Sequence, residues 1–143
     1  MLNKDSLFFN LKDKVPNDAL LPLKESLDKA SESTLEKLVF VNLKNSLLGL
    51  VLAFFLPGVD RIYKGDIVLG VVKLILFFGV VVFNYAVDLE WFAEFCVENI
   101  AVAVLFLVFI LALLVWFVVD LFLVYRGIKK DNLKKIFEVL RAS

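Results

Sequence analysis

The sequence predicts an all-α fold: an integral membrane helical hairpin with a short, re-entrant helix and an N-terminal soluble helical tail. Three observations lead there. Hydrophobic residues make up 61% of the chain, against about 45–50% in an ordinary soluble domain, and they are concentrated between Leu47 and Tyr125. Two stretches in that region, Ile67–Val87 and Ile100–Tyr125, run for 21 and 26 residues with one charge each, Lys73 and Asp120. All 16 Lys and Arg lie outside residues 74–125.

Residues 1–46 form a soluble amphipathic tail rich in Lys, Asp, Glu, Ser and Asn. An apolar cluster of Leu7, Phe8, Phe9 and Leu11 is cut off by Pro16. From Asn17 the pattern of Leu20, Leu21, Leu23 and Leu27 predicts a helix with one apolar side. Ser33-Thr34-Leu35-Glu36 fits a capping box, in which a hydroxyl and a carboxylate satisfy the first amides of a helix. That helix would carry Leu35, Leu38 and Val39 and run on into the hydrophobic part. No apolar core of signal-peptide type precedes residue 35, so the tail is expected to stay on the cytoplasmic side.

Residues 47–126 form the membrane domain. A short helix at 47–57 ends at Pro57-Gly58. It is too short for a bilayer crossing, which needs about 20 residues. A helix at 67–87, an acidic outer loop at 88–99 and a helix at 100–125 follow, and 127–143 is expected as a basic cytoplasmic helix. The 88–99 loop holds four carboxylates and no basic residue, while Arg61, Lys64 and the C-terminal tail are basic. Basic loops stay in the cytoplasm, so 88–99 faces outward. If 47–57 dips in and returns, or lies in the interface, every basic group and both termini are cytoplasmic. If it crosses, a tail with seven Lys is outside.

Charges within a span cost a few kcal/mol and need partners or water. Lys73 follows Asp66 by seven residues and Asp120 precedes Arg126 by six. At about 1.5 Å per residue both lie roughly 10 Å from the same surface. This matched depth predicts a Lys73–Asp120 pair. The alternative has Lys73 snorkelling to the surface and Asp120 paired with Arg61. A conducting role would need a chain of polar groups, yet Asn84 is the one other strong candidate, and Ile100–Val115 carries no polar side chain. Trp91, Phe92 and Phe95 would give the outer loop an apolar face beside Glu90, Glu94 and Glu98, a candidate interaction surface.

Other chemistry is excluded by composition. With no His and a single Cys, neither disulfide nor the usual zinc sites and triads can be assembled, so no metal, cofactor or enzyme activity is expected. Cys96 lacks a flanking base and is expected as an apolar filler. A net charge of zero gives nucleic acid no footprint. Gly49, Gly70 and Gly79 permit close helix contact and with it a homo-oligomer.

The run Gly58-Val59-Asp60-Arg61-Ile62-Tyr63-Lys64-Gly65, then Gly70 and Lys73, then Trp116 and Asp120-Leu121-Phe122-Leu123, resembles the TM-2 domain family over about residues 44–132. That family has a loop of type G-x-(D/H)-R-(F/I)-Y-x-G, a following G-x-x-K and a final W-x-x-x-D-L-F-L-I. Ile62 stands for the usual Phe, and Gly79–Ala103 is longer than the family pattern. The resemblance implies two transmembrane helices joined by a short connector, with Gly58, Asp60, Arg61, Tyr63 and Gly65 as the motif loop. The tail is similar to soluble leaders of bacterial members, which implies a bacterial cytoplasmic membrane. No settled enzyme activity is implied, and the simplest role for the motif is a folding device. Three functions remain: an interaction or scaffold protein acting on a protein partner through the tail or the outer loop, a small channel or transporter accessory, or a membrane-embedded antitoxin, immunity or stress protein.

Overall fold

The computed structural model describes residues 3–86 and 89–142. Among these residues every regular element is helical. Val87 and Asp88, the end of the expected second helix and the start of the expected outer loop, lie outside the described residues. The helices are α1 (Lys4–Lys12), α2 (Leu20–Lys29), α3 (Glu32–Val39), α4 (Ser46–Phe55), α5 (Val59–Lys64), α6 (Ile67–Ala86), α7 (Leu89–Glu98) and α8 (Ile100–Arg141), with a 3₁₀ turn at Asn17–Ala19. They fall into two compact units, Met1–Gly49 with Val124–Ser143, and Leu50–Leu123. The segments expected separately as 1–46 and 127–143 therefore share one unit.

The core of that first unit is built by leucines at helical spacing. Leu7 and Leu11 of α1, Leu23 and Leu27 of α2, and Leu35 and Leu38 of α3 are buried together with Val15 and Ile136. Each fully buried side chain of this size contributes about 1.5–3 kcal/mol relative to exposure. The α3 start differs from the expected capping box: Ser31, not Ser33, is the N-cap, in extended backbone with its hydroxyl accepting from the Thr34 amide. Nor does α3 run on into the apolar region. It stops at Val39, and the Asn45 side chain accepts from the Leu47 and Leu48 amides to start α4 afresh.

Thr34, Ser46 and Asn132 are the buried polar residues described in this unit, and Asn132 ties separate segments together. Asn132 of α8 is 1% exposed. Its amide nitrogen donates to the carbonyls of Lys14 and Lys44, and its oxygen accepts from the Lys44 amide. The turn after α1 and the linker before α4 are thereby fastened to one point of the C-terminal helix. The expected break near 126 does not occur, and α8 is one helix of 42 residues. Gly127 alone costs only about 1 kcal/mol in a helix, and this is offset by burial of Val124, Ile128, Asn132 and Ile136 at four-residue spacing.

The second unit is a hairpin of the two long apolar helices α6 and α8 with α4, α5 and α7 attached. Its apolar side chains face outward: Ile75, Val82, Leu105 and Val115 are each more than 60% exposed. An apolar surface of this extent belongs in lipid. The ten residues of α4 are too few to cross. In place of the expected loop, α7 is a helix, and its aromatic residues divide between two sides. Phe92 packs on Phe83 of α6 and Phe106 of α8, with centroids 5.8 and 5.1 Å away. Trp91 instead stacks on Phe95 at 5.5 Å, so the three do not form the single face expected of them. Glu90, Glu94 and Glu98 recur every four residues along the same helix.

Asn132→Leu should destabilise the first unit by about 2–4 kcal/mol, since three backbone groups lose their partner. The measurement is thermal unfolding of the detergent-solubilised protein. An unchanged melting temperature would show that Asn132 does not fasten these segments.

Candidate functional site

The site begins at a sequence break. Pro57 ends α4, and Gly58 turns the chain at φ 105°, a conformation side chains with a Cβ rarely adopt. Gly65 closes the six-residue α5 at φ 115°, in left-handed backbone. Glycine is also needed across from this turn. A Cβ on Gly70 would sit 2.8 Å from the Gly58 carbonyl oxygen and 2.5 Å from the Ile62 side chain. Gly58 and Gly70 therefore let α5 lie directly against the first turns of α6, which brings the α5 charges up to Lys73.

Six side chains of alternating sign then form one chain of contacts. Asp60 Oδ1 accepts from the Gly58 amide at 2.7 Å, and its Oδ2 accepts from Lys73 Nζ at 2.8 Å. Lys73 Nζ also donates to Asp120 Oδ2 at 2.5 Å. Asp120 Oδ1 accepts from Arg61 Nε at 2.9 Å and from Arg61 Nη2. Arg61 Nη1 reaches Asp66 Oδ2 at 3.0 Å, and Lys64 Nζ reaches the same oxygen at 2.7 Å. Three carboxylates meet three cations, so the group is neutral when all are charged.

Burial rises from the Lys64–Asp66 end of this chain toward the Asp60 end. Asp60 and Asp120 are 0% exposed and Lys73 is 3% exposed. Isolated charges there would cost several kcal/mol each; here every buried charge has at least one opposite charge in hydrogen-bonding contact. Lys73 Nζ additionally lies 5.6 Å from the Phe117 ring centroid. At the outer end, the hydrogen bond from Lys64 holds the Asp66 carboxyl below its ordinary range, against desolvation and with help from Arg61. Beside the buried end is an apolar cleft of about 370 Å³, walled by Phe77, Leu113, Trp116, Phe117 and Lys73 among others.

Of the residues expected to matter, the structure brings Lys73 and Asp120 into contact and joins both to Asp60 and Arg61 of the motif loop. Lys73 does not snorkel, being 3% exposed, yet the Arg61–Asp120 pairing of that alternative occurs alongside Lys73–Asp120, because a carboxylate has two oxygens to share. Sequence reasoning missed Asp60 as a second partner of Lys73 and Asp66 as a partner of Arg61. No spacing marks Asp60 for Lys73, since the turn at Gly58 brings the two together. Tyr63 is half-buried beside this chain in sequence. Glu90, Trp91, Glu94, Phe95 and Glu98 all sit on α7 and are not part of it. Asn84 donates to the Val80 carbonyl of its own helix and, among the described residues, joins no polar path.

Two long lipid-facing helices closed over a buried, fully paired set of charges define a small helical membrane protein. Residues 42–89 match the model of the TM2 domain family. The match includes α4, α5 and α6 but ends before Trp116–Leu123, so Asp120 completes the charge chain from outside the matched segment. Neither the curated proteins nor the solved structures contain a match to the chain.

Lys73→Met should destabilise the fold by about 3–5 kcal/mol, because it strands the buried Asp60 carboxylate and takes one of two cations from Asp120. The contacts predict which second change repairs it. Asp60→Asn removes the stranded charge and can keep the Gly58 hydrogen bond, whereas Asp120→Leu leaves Asp60 stranded and takes one of the two carboxylates from Arg61. Melting temperatures of the two double variants should therefore rank Lys73→Met/Asp60→Asn above Lys73→Met/Asp120→Leu. Equal values would mean that the charges are not partitioned this way.

Proposed function

We propose that this is a non-enzymatic membrane interaction protein with both termini on the cytoplasmic face of a bacterial membrane, presenting its soluble unit inward and α7 outward to protein partners. The observation that carries this reading is that the charged groups inside the spans are occupied with one another. Lys73, Asp60 and Asp120 are buried and mutually bonded, which supports a pinning role over a reactive or conducting one. The groups left to meet other molecules are on the surfaces of the soluble helices and on α7.

A shared core supports the topology. Ile136 is buried with Leu7, Leu11 and Leu23, and Asn132 bonds to Lys14 and Lys44. Segments that pack together lie on one side of a bilayer, so the number of crossings between them is even. With α6 and α8 crossing, α4 dips in or lies along the surface. The absence of basic residues from 88–99 then puts α7 outside.

Single cysteines at Ser6, Glu94 and Ala142 in a Cys96→Ser background, labelled with an impermeant maleimide on intact cells, check the topology. Labelling is expected at position 94 alone; labelling at position 6 as well would sink it. For the role, a photocrosslinker at position 94 should give a discrete protein adduct that disappears when Glu90 and Glu98 are replaced by Gln. An ion flux in proteoliposomes that is abolished by Lys73→Met in folded protein would overturn the interaction reading in favour of a channel.

A further inference from the structure

The C-terminal part of α8 has two sides that differ sharply. Val124, Ile128, Asn132 and Ile136 are buried at four-residue spacing. Arg126, Lys130 and Lys134 recur at the same spacing on a different side of the helix, all exposed, with Lys129 beside them and half-buried. From Arg126 to Lys135 there are five basic residues and one acid, Asp131. Among the described residues no carboxylate pairs with Arg126, Lys129 or Lys130. Glu138 approaches Lys134 only at 4.0 Å, with both side chains largely exposed. Lys135 is turned away to the Asn42 carbonyl.

The position of this stripe identifies its ligand. Arg126 is the first residue after the apolar run that ends at Tyr125, and Lys129 Nζ lies 4.9 Å from the Tyr125 ring centroid. Aromatic rings at a span end mark the headgroup level. Lys130 is five residues beyond Tyr125, about 8 Å along the axis, and the headgroup layer of one leaflet is roughly 5–8 Å thick. Arg126, Lys129 and Lys130 thus lie within that layer, while Lys134 lies beyond it. Basic groups near a bilayer surface attract anionic lipids, and Arg in addition bonds phosphate in a two-pronged fashion.

We propose that Arg126, Lys129 and Lys130 form a binding site for the headgroups of anionic phospholipids, set against the end of the α8 span. The site rests on the membrane reading of α8 and extends it by naming the lipid class. It uses side chains that the hairpin and the first unit's core leave uncommitted.

The test is native mass spectrometry of the full chain released from vesicles of equimolar phosphatidylglycerol and phosphatidylcholine. The expected result is preferential retention of phosphatidylglycerol, falling about fivefold for each charge removed by Arg126→Gln, Lys129→Gln and Lys130→Gln. Lys134→Gln should leave the preference nearly unchanged, because it lies outside the headgroup layer. These residues are not in the core, and an unchanged melting temperature in phosphatidylcholine serves as the folding control. Equal retention of the two lipids, or an unaltered preference in the triple variant, overturns the site. Binding of soluble polyglutamate as tight as that of phosphatidylglycerol also overturns it, in favour of an acidic protein partner. Alkaline carbonate extraction separates the two levels. If the wild-type chain is stripped from vesicles the membrane reading fails, and if it resists but shows no lipid preference only the lipid site fails.

Discussion

The second unit depends on neutralising Asp120. A carboxylate fully buried in the apolar part of α8 would be prohibitively costly alone, and its two oxygens are taken by cations from two different elements, Lys73 of α6 and Arg61 of α5. Each cation in turn holds another carboxylate, Asp60 or Asp66. Three segments, α5, α6 and the apolar part of α8, are thereby fixed in mutual register. Between apolar helices in lipid, packing alone discriminates weakly among rotations and slides. An ion pair of defined geometry does discriminate, because any slip leaves a buried charge without a partner.

The glycines make that arrangement geometrically accessible. Gly58 and Gly70 remove the atoms that would keep α5 away from α6, and without this approach Asp60 could not reach Lys73. The motif loop is thus a device with two coupled halves, a steric one made of glycines and an electrostatic one made of Asp60, Arg61 and Lys73. Substituting either half disturbs the other. The Phe92 contacts to Phe83 and Phe106 add an aromatic clasp between α7 and the two long helices.

How far the sequence could be read depended on whether a feature was periodic or positional. Helix lengths and apolar content are local, and they predicted a helical membrane hairpin. Axial rise is nearly constant, so the matched depth of Lys73 and Asp120 followed from counting residues. The Asp60 contact did not, since it depends on the path of a tight turn with left-handed glycines, which spacing does not encode. The segment 88–99 was expected as a loop because charge was given more weight than period, although Glu90, Glu94 and Glu98 repeat as a helix requires. The continuity of α8 was hidden by the change from apolar to basic residues at Arg126, which alters the solvent around the helix but not its backbone. Asn132 was invisible: a lone asparagine in a charged helix gives no hint that it holds Lys14 and Lys44.

That asparagine and its neighbour Ile136 impose an order on biosynthesis. A chain is made from its N-terminus, so α1, α2 and α3 leave the ribosome before either long apolar segment has been inserted. Their core is incomplete, lacking Ile136 and the Asn132 bonds to Lys14 and Lys44, until α8 has been translated. The first unit consequently cannot be completed before the intervening hairpin has been synthesised. A ribosome stalled after α6 would leave a greasy, unfinished head for quality-control proteases to find.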